Sequence, residues 1–291
     1  MKKIAILGCE NSHADAFVKA IQNNEKYSDV EVVGVYSDEP DATKRLQEQF
    51  SVPILGDYAD AVGKIDGLVV TARNGVNHYK YAKPYIESGI PMFIDKPITN
   101  DEEEAVTFMR DLLAHGVRFC GGSSLKQDST VAQLKADREA QAGGKTLGGY
   151  VRSPYDKEST YGGFFFYAQH LVEMVGEIFG RHPLSVTAKE NNDQIHVLFH
   201  YEDYDCVGLY CNKTYKYFVS RISETTSDGY AIPSSASREW FEREFDEYYE
   251  LLSGAAQQID PKDFIAPVFV MNAIVRSLES GKEEAIRPIE I

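Results

Sequence analysis

Short apolar runs alternate with helical patterns along the first 121 residues, and this alternation limits the possible folds more than any other feature of the chain. Each run is typical of a strand buried on both faces, and the helical patterns between the runs suit crossover connections. The predicted strands are Lys3–Gly8, Val30–Tyr36, Gly67–Thr71, Pro91–Ile94 and Val117–Cys120. The sequence therefore predicts an α/β domain with a Rossmann-type, doubly wound parallel sheet, whose ligand site lies beyond the carboxyl ends of the strands.

The character of the sequence changes at about residue 122, where glycine turns and runs of aromatic and β-branched residues begin to favour strands. The predicted strands are Gly149–Arg152, Val186–Ala188, Gln194–Tyr201, Cys206–Cys211 and Tyr215–Ile222, and helical patterns follow at Arg238–Leu252 and Pro267–Leu278. We expect a dinucleotide-binding domain over residues 1–121 and an α+β substrate and oligomerisation domain over residues 122–291. Its open sheet would be largely antiparallel with helices on one face, and the Tyr- and Phe-rich other face predicts a homodimer or homotetramer.

The charge and composition of the chain exclude several classes of partner. The formal net charge is −15, whereas nucleic acid and anionic membranes bind basic surfaces. The apolar run Ile4–Leu7 is too short for a signal peptide, and no run approaches the ~20 residues of a membrane span. The four cysteines show no CxxC spacing. We therefore expect a cytoplasmic protein with reduced thiols that binds neither nucleic acid nor membrane.

Two short motifs carry the candidate chemistry. Phe93-Ile94-Asp95-Lys96-Pro97 ends a predicted strand of the first domain. In the second domain, His170 follows the glycine turn Gly162-Gly163 and an aromatic run, and it opens a helical pattern. A lysine and a histidine that face each other across a domain cleft suit a proton donor and a proton acceptor. Lys96 and His170 are therefore the predicted catalytic residues.

These motifs resemble those of the Gfo/Idh/MocA family, which includes glucose–fructose oxidoreductase and inositol dehydrogenase. Asp95-Lys96-Pro97 stands where the family has Glu-Lys-Pro, His170 matches its catalytic histidine, and His78 matches a histidine that opens a helix. The resemblance covers nearly the whole chain, including a final helix and strand at Ala273–Ile286. It implies oxidation or reduction of sugars, cyclitols and related polyols with NAD or NADP. Lys96 would orient or protonate the substrate oxygen, and His170 would exchange its proton during hydride transfer.

The glycine loop departs from the family pattern. It reads Gly8-Cys9-Glu10-Asn11-Ser12-His13, so the loop is short and only the first glycine of G-x-G-x-x-G is present. Glu10 stands where a glycine normally lets the backbone approach the pyrophosphate. Ser12 is expected to cap the next helix in a capping box with Asp15, whose N-terminus still offers an anion site. The resemblance places the cofactor along the strand edge, at Gly8, Asn11, Ser12, His13, Ser37, Thr71, Ala72, Arg73, His78, Asp95, Lys96 and Pro97.

The sequence leaves the type of cofactor open between NAD and NADP. Ser37 ends the second strand, where an acid commonly bonds the ribose 2′-hydroxyl. With Lys44 or Arg45 it would accept a 2′-phosphate, whereas Asp38 favours NAD. In the second domain, Glu173 lies one helical turn after the predicted catalytic histidine and is expected to orient its imidazole.

We therefore expect an NAD(P)-dependent oxidoreductase that acts on a small sugar-like polyol or on its carbonyl form. His196 and His200 share one strand face, but no third ligand accompanies them, and no metal site is expected. Two alternatives stay open. One is a non-catalytic binding or regulatory protein that has weakened or lost cofactor binding, which Glu10 and the short loop favour. The other is a lyase or hydrolase that keeps its cofactor bound and recycles it.

Overall fold

The N-terminal domain is a parallel five-stranded sheet. The computed structural model describes residues 1–233 and 237–291, and the strands of this sheet lie in the order β2-β1-β3-β4-β5. Their bounds are Lys2–Leu7 for β1, Val30–Tyr36 for β2, Gly67–Val70 for β3, Met92–Asp95 for β4 and Phe119–Gly122 for β5. Every neighbouring pair is parallel, so the carboxyl ends of all five strands meet at one edge. The predicted Rossmann-type sheet is confirmed.

Four helices connect these strands and cover both faces of the sheet. They are α1 (Ser12–Asn23), α2 (Pro40–Phe50), α3 (Val76–Ile86) and α4 (Glu102–Ala114). Helix α4 buries Ala105, Phe108, Met109 and Leu112, as the 3.6-residue period predicts. Leu113, which the same pattern assigns to the buried face, is 43% exposed because it lies at the edge of that face.

Two local predictions in this domain were wrong. The N-cap of α1 is Asn11, whose side chain accepts a hydrogen bond from the backbone N–H of His13, while Ser12 is the first helical residue. An amide oxygen serves as an N-cap as well as a hydroxyl does. Strand β5 extends two residues beyond Cys120 into Gly121 and Gly122, although glycine weakens strands. Position 121 requires a glycine because a Cβ there would lie 2.0 Å from the carbonyl oxygen of Ile94 on β4.

The C-terminal domain is built on a seven-stranded sheet in the order β11-β10-β6-β9-β8-β7-β12. The strands are β6 (Thr146–Tyr155), β7 (Ser185–Asn191), β8 (Gln194–His200), β9 (Asp205–Asn212), β10 (Tyr217–Ser223), β11 (Ser227–Ile232) and β12 (Glu284–Ala285). The helices are α5 (Ser129–Glu139), α6 (Phe165–Phe179), α7 (Ser237–Leu252) and α8 (Pro261–Ser280). All strand pairs are antiparallel except β6 with β9, so the predicted, largely antiparallel sheet is confirmed.

The sequence missed several elements of this domain. Helix α5 and the short edge strand β11 carry no strong periodic pattern, whereas the closing strand β12 lies within the predicted segment Ala273–Ile286. Helix α8 begins at Pro261 with Asp260 as its N-cap, six residues before the predicted start. Pro267 resembles a first helical residue, but it lies inside the helix. His170 lies in the second turn of α6, because the aromatic run before it forms the first turn.

Helices α7 and α8 join the two halves of the molecule. Phe245, Tyr248 and Leu251 of α7 pack into one apolar cluster of the N-terminal domain, and Phe264 and Phe269 of α8 pack into the other. The parallel sheet ends at Gly122, and the predicted boundary after residue 121 stays a prediction. Among the described helices, none combines the length and the hydropathy that crossing a membrane requires.

Candidate functional site

A cavity of about 290 Å³ lies at the carboxyl edge of the parallel sheet, where the two domains meet. Loops after β1, β3, β4 and β5 form its floor. The first turns of α6, the start of β10 and the start of α7 form its walls. The lining residues described are Asn11, Ser12, His13, Arg73, Lys96, Ser124, Leu125, Phe166, Tyr167, His170, Tyr215, Tyr217, Ser237, Trp240 and Phe241. Both predicted catalytic residues therefore reach the same cavity.

Lys96 follows β4 directly and is almost completely buried. The Asp95 carboxylate accepts a hydrogen bond from the Lys96 backbone N–H at 2.7 Å. The Nζ atom donates to the Phe166 carbonyl oxygen at 3.3 Å and lies 4.9 and 5.0 Å from the ring centres of Phe166 and Tyr167. Burial lowers the pKa of Lys96 below 10.5, although the charge of Asp95 acts in the opposite direction. A lowered pKa brings the amine closer to the range in which it exchanges protons with a substrate.

His170 is held from one side by Ser123, the residue that follows β5. The Nδ1 atom of the ring lies 2.6 Å from the Ser123 hydroxyl oxygen. Burial, followed by the charges of Lys96 and His13, holds the pKa of His170 well below 6.5. The imidazole is therefore neutral at pH 7. Because Nδ1 is engaged, Nε2 is the ring nitrogen left for the cavity.

A hydrogen-bonded pair on α6 connects the loops that carry these two residues. Glu173 accepts from the Ser123 backbone N–H at 2.8 Å and from the Gln169 side chain. The Gln169 side-chain oxygen in turn accepts from the Ile98 backbone N–H at 3.2 Å, two residues after Lys96. A Cβ at Gly122, where φ is +88°, would lie 2.6 Å from Glu173. Glu173 therefore orients His170 through Ser123, and not by the direct contact that the sequence predicts.

His13 lines the cavity and is buried between two carboxylates from different domains. Its Nδ1 is 3.1 Å from Asp95 and its Nε2 is 3.1 Å from Glu244 of α7. Burial alone would lower the pKa of His13, but Asp95 and Glu244 together raise it above 6.5. Burial raises the pKa of Glu244 to about 7, although His13 opposes this shift. The contacts of His13 with Asp95 and Glu244 thus link α7 to the start of α1. Asn11, the N-cap of α1, also donates to Asp95 through its side chain at 2.5 Å.

The Glu10 side chain points away from the cavity and along the strand edge. One carboxylate oxygen accepts from the Ser37 hydroxyl at 2.7 Å, and the other accepts from the Arg73 backbone N–H at 3.0 Å. Glu10 thus spans the ends of β2 and β3. Gly8 holds the loop close to β3 with φ at +81°, because a Cβ there would lie 2.3 Å from the Ala72 nitrogen.

The other predicted cofactor residues divide into two groups. Asn11, Ser12, His13, Arg73 and Lys96 line the cavity. The rest lie beneath it or beside it as supports of the strand ends: Gly8, Ser37, Thr71, Ala72, His78, Asp95 and Pro97.

Two of these supporting residues have clear structural contacts. The Thr71 hydroxyl donates to the Gly8 carbonyl oxygen at 3.0 Å. His78 is fully buried, with Nε2 2.9 Å from the Ala72 carbonyl oxygen and Nδ1 3.3 Å from that of Ile98. The predicted part of His78 as a cofactor contact therefore does not fit its position, because backbone carbonyls face both ring nitrogens below the cavity floor.

Sequence reasoning missed several residues of the site. Ser123 could have been found, because it follows a predicted strand at the same edge as Lys96. Trp240, Phe241 and Glu244 could not, since they lie on a helix about 150 residues from the strand edge in sequence, with no motif of their own. Among the described residues, no group of three or more His, Cys, Asp or Glu side chains is arranged to hold a metal ion.

Comparison with known proteins agrees with this architecture. Residues 2–122 match the Gfo/Idh/MocA family, described as "Oxidoreductase family, NAD-binding Rossmann fold". No curated protein sequence matches the chain significantly.

Solved structures with the same fold cover nearly the whole chain. A putative myo-inositol dehydrogenase from Sinorhizobium meliloti has a TM-score of 0.85 at 16% identity, covering 99% of this chain and 100% of that one. A myo-inositol dehydrogenase from Corynebacterium glutamicum has a TM-score of 0.83 at 17% identity, with 99% of each chain covered. A scyllo-inositol dehydrogenase from Lactobacillus casei, with bound NAD(H) and scyllo-inositol, has a TM-score of 0.83 at 14% identity, covering 98% and 99%. Residues 2–122 thus match the NAD-binding Rossmann domain of the Gfo/Idh/MocA oxidoreductase family, and nearly the whole chain has a fold that solved inositol dehydrogenases share.

Proposed function

We propose that this protein is an NAD-dependent oxidoreductase that transfers a hydride to or from a CH–OH carbon of a sugar, cyclitol or related polyol. One observation carries the proposal: Lys96 of the first domain and His170 of the second line the same cavity as the N-terminus of α1. A buried amine, a neutral imidazole and a helix N-terminus suit alcohol–carbonyl chemistry with a phosphate-bearing cofactor. The bound NAD(H) and scyllo-inositol of the Lactobacillus casei enzyme support the same class of reaction.

The residues at the strand edge fit a nicotinamide dinucleotide. Gly8 keeps the loop after β1 close to the sheet, and the exposed Ser12 opens the first turn of α1 to the cavity. Glu10 does not obstruct this turn, because its carboxylate is bonded to Ser37 and to the backbone of Arg73. When bound, the cofactor would accept or supply the hydride.

The charges at the end of β2 favour NAD over NADP. The Glu10 carboxylate lies at Ser37, where many dinucleotide-binding domains have the acid that bonds the ribose hydroxyl. Asp38 adds a second carboxylate, which pairs with Lys80 at 3.2 Å. Arg45 is already bonded to Asp15 and to the Cys9 carbonyl oxygen. A 2′-phosphate would therefore meet two carboxylates and no free arginine at this position.

The two catalytic residues divide the proton chemistry between them. His170 donates its Nδ1–H to the Ser123 hydroxyl oxygen, which leaves the Nε2 lone pair to take the proton of the substrate hydroxyl during oxidation. Lys96, in its protonated form, donates a hydrogen bond to the same oxygen and stabilises the charge that develops there. In the reverse direction His170 returns the proton. The aromatic walls limit the access of water to the reacting atoms.

The test is a screen of sugars, inositols and their keto forms with NAD and NADH, followed by absorbance of the reduced nicotinamide. For any substrate found, Lys96→Ala and His170→Ala should each lower kcat/KM by ~10²–10⁴-fold. His170→Ala should leave NAD affinity intact. Lys64→Ala and His115→Ala remove the same residue types from exposed positions of the first domain, away from the cavity, and should change nothing. Wild-type turnover in His170→Ala would refute the assignment.

We also propose that the outer face of the C-terminal sheet forms a homodimer or homotetramer interface. Tyr150, Leu198, Val207, Leu209 and Phe218 lie on this face, and each is at least partly exposed. A monomer in analytical ultracentrifugation would contradict this.

The four cysteines are buried and free, which supports the proposed cytoplasmic location.

A further inference from the structure

Two cations at the cavity have no carboxylate partner, although the chain carries 45 acidic residues against 30 lysines and arginines. Within the described part of the chain, no carboxylate oxygen lies within 4.0 Å of the Lys96 Nζ atom or the Arg73 guanidinium. Lys126 is paired with Glu173 at 3.9 Å, and the buried Arg221 donates to the carbonyl oxygens of Ala142 and Gly144. Arg73 therefore brings to the cavity a positive charge that no carboxylate within ion-pair distance neutralises, whereas Lys96 lies in the field of Asp95, Glu244 and Glu173.

The Arg73 side chain is held in place without being neutralised. It extends from the end of β3 to the second domain, where its guanidinium lies 5.2 Å from the Tyr161 ring centre. One guanidinium nitrogen donates to the Tyr161 hydroxyl at 3.4 Å. A guanidinium has five N–H donors in a planar fork that matches a carboxylate. Most of these donors have no partner among the described residues.

Much of the remaining lining of the cavity is aromatic, beside the polar side chains of Asn11, Ser12, Ser124 and Ser237. It includes six rings, those of Phe166, Tyr167, Tyr215, Tyr217, Trp240 and Phe241, and none of the described lining residues is Asp or Glu. Carboxylates are the acceptors that a neutral polyol would use most readily for its hydroxyl protons. Flat aromatic walls instead pack against the apolar faces of a ring. The volume of about 290 Å³ suits a single small ring.

We propose that the substrate is a ring-shaped hydroxy acid, in which a carboxylate is bound by Arg73 and the ring packs between the aromatic walls. The proposal rests on the proposed function and narrows its substrate class from polyols in general to those that carry a carboxylate. Lys96 and His170 act on a hydroxyl carbon of the ring, while Arg73 fixes the orientation of the ring through its acid group. Arg73 is then the residue that determines specificity, and its guanidinium serves the substrate.

The test compares matched acids and neutral compounds by calorimetry, in the presence of saturating NADH. The pairs are quinate with myo-inositol and glucuronate with glucose. Each acid should bind at least about tenfold more tightly than its neutral partner. Arg73→Gln should weaken acid binding by about tenfold to a hundredfold, remove the preference and leave NADH affinity unchanged. Arg287→Gln removes the same charge from an exposed arginine that pairs with the buried Glu102, away from the cavity, and should keep the preference.

The outcomes separate this inference from the proposed function. Equal or tighter binding of the neutral compounds would overturn the inference, as would failure of both acids to bind. An Arg73→Gln protein that loses NADH affinity while keeping the acid preference would also overturn it, because Arg73 would then serve the cofactor. An acid that binds with the expected preference, but is neither oxidised by NAD nor reducible in its keto form by NADH, supports the inference and contradicts the proposed function.

Discussion

At the scale of single residues, the site depends on two groups whose pKa values are both lowered. Burial lowers the pKa of His170 well below 6.5 and that of Lys96 below 10.5. In the proposed mechanism, oxidation needs a neutral His170 and a protonated Lys96. We therefore expect kcat/KM to rise with pH through a limb below pH 6.5 and to fall through a limb below pH 10.5. A pH profile of the wild type and of Lys96→Ala checks this, since the alkaline limb should be absent from the variant.

Ser123 should influence the acidic limb of the pH profile of kcat/KM and leave the alkaline limb unchanged. Its hydroxyl oxygen lies 2.6 Å from the Nδ1 atom of His170. In the proposed mechanism it accepts from that nitrogen, and the bond favours the protonated ring slightly more than the neutral ring. Ser123→Ala should move the acidic limb to lower pH and reduce kcat/KM by about fivefold, the equivalent of one ordinary hydrogen bond. Ser153→Ala, which alters another fully buried serine, is the matched control. If the acidic limb of Ser123→Ala stays at the wild-type pH, Ser123 fills space and does not affect the pKa of His170.

Glu10 should control the choice between the two dinucleotides. Its carboxylate at Ser37 opposes a 2′-phosphate, so the wild type should bind NAD more tightly than NADP. Glu10→Gln keeps the size of the side chain and removes the charge. Affinity for NADP should then rise by about fivefold, on the order of 1 kcal/mol for one charge pair near the surface, with little change for NAD. Calorimetry with both cofactors checks this, and an unchanged ratio would place the phosphate away from Glu10.

At the scale of secondary-structure elements, the contact between α7 and α1 makes stability depend on pH. The folded state raises the pKa of Glu244 from 4.5 to about 7 and raises that of His13 above 6.5. Both groups therefore bind protons more tightly in the folded chain. Their stabilising effect is complete below the unfolded pKa values and is lost as pH rises through the folded ones.

The expected result is a melting temperature that falls between about pH 5 and about pH 8 more steeply in the wild type than in Glu244→Gln. Each kcal/mol of unfolding free energy that protonation of Glu244 contributes should appear as a difference of about 2–4 °C in melting temperature. Glu250→Gln, an exposed glutamate on the same helix, should melt as the wild type does. Parallel curves for the wild type and Glu244→Gln would show that the carboxyl of Glu244 does not titrate in this window.

The elements also show how far sequence reasoning reaches. The parallel sheet could be predicted because buried strands and crossover helices each leave a local pattern, and Lys96 follows from its position at a strand end. The contacts of α7 could not be predicted, because α7 packs on α1 through surfaces that are far apart in sequence. The same holds for Glu10: the sequence places it beside the phosphates, whereas the fold turns its carboxylate towards Ser37.

At the scale of the whole molecule, the cavity exists only because two domains meet. The first domain supplies the strand edge and Lys96, and the second supplies His170, the aromatic walls and Trp240. The two proposed catalytic residues therefore meet only where the domains do. Helices α7 and α8 hold this arrangement by packing on the parallel sheet.

The single tryptophan gives the most direct test of the central claim that this cavity binds a nicotinamide cofactor. Trp240 is the only tryptophan in the chain and lines the cavity with Lys96 and His170. With selective tryptophan excitation, titration with NADH should quench Trp240 emission saturably and sensitise nicotinamide emission, and NAD should reverse both effects by competition. Trp240→Phe should abolish the transfer. A linear, non-saturating decrease in emission, or none, would contradict cofactor binding at this site.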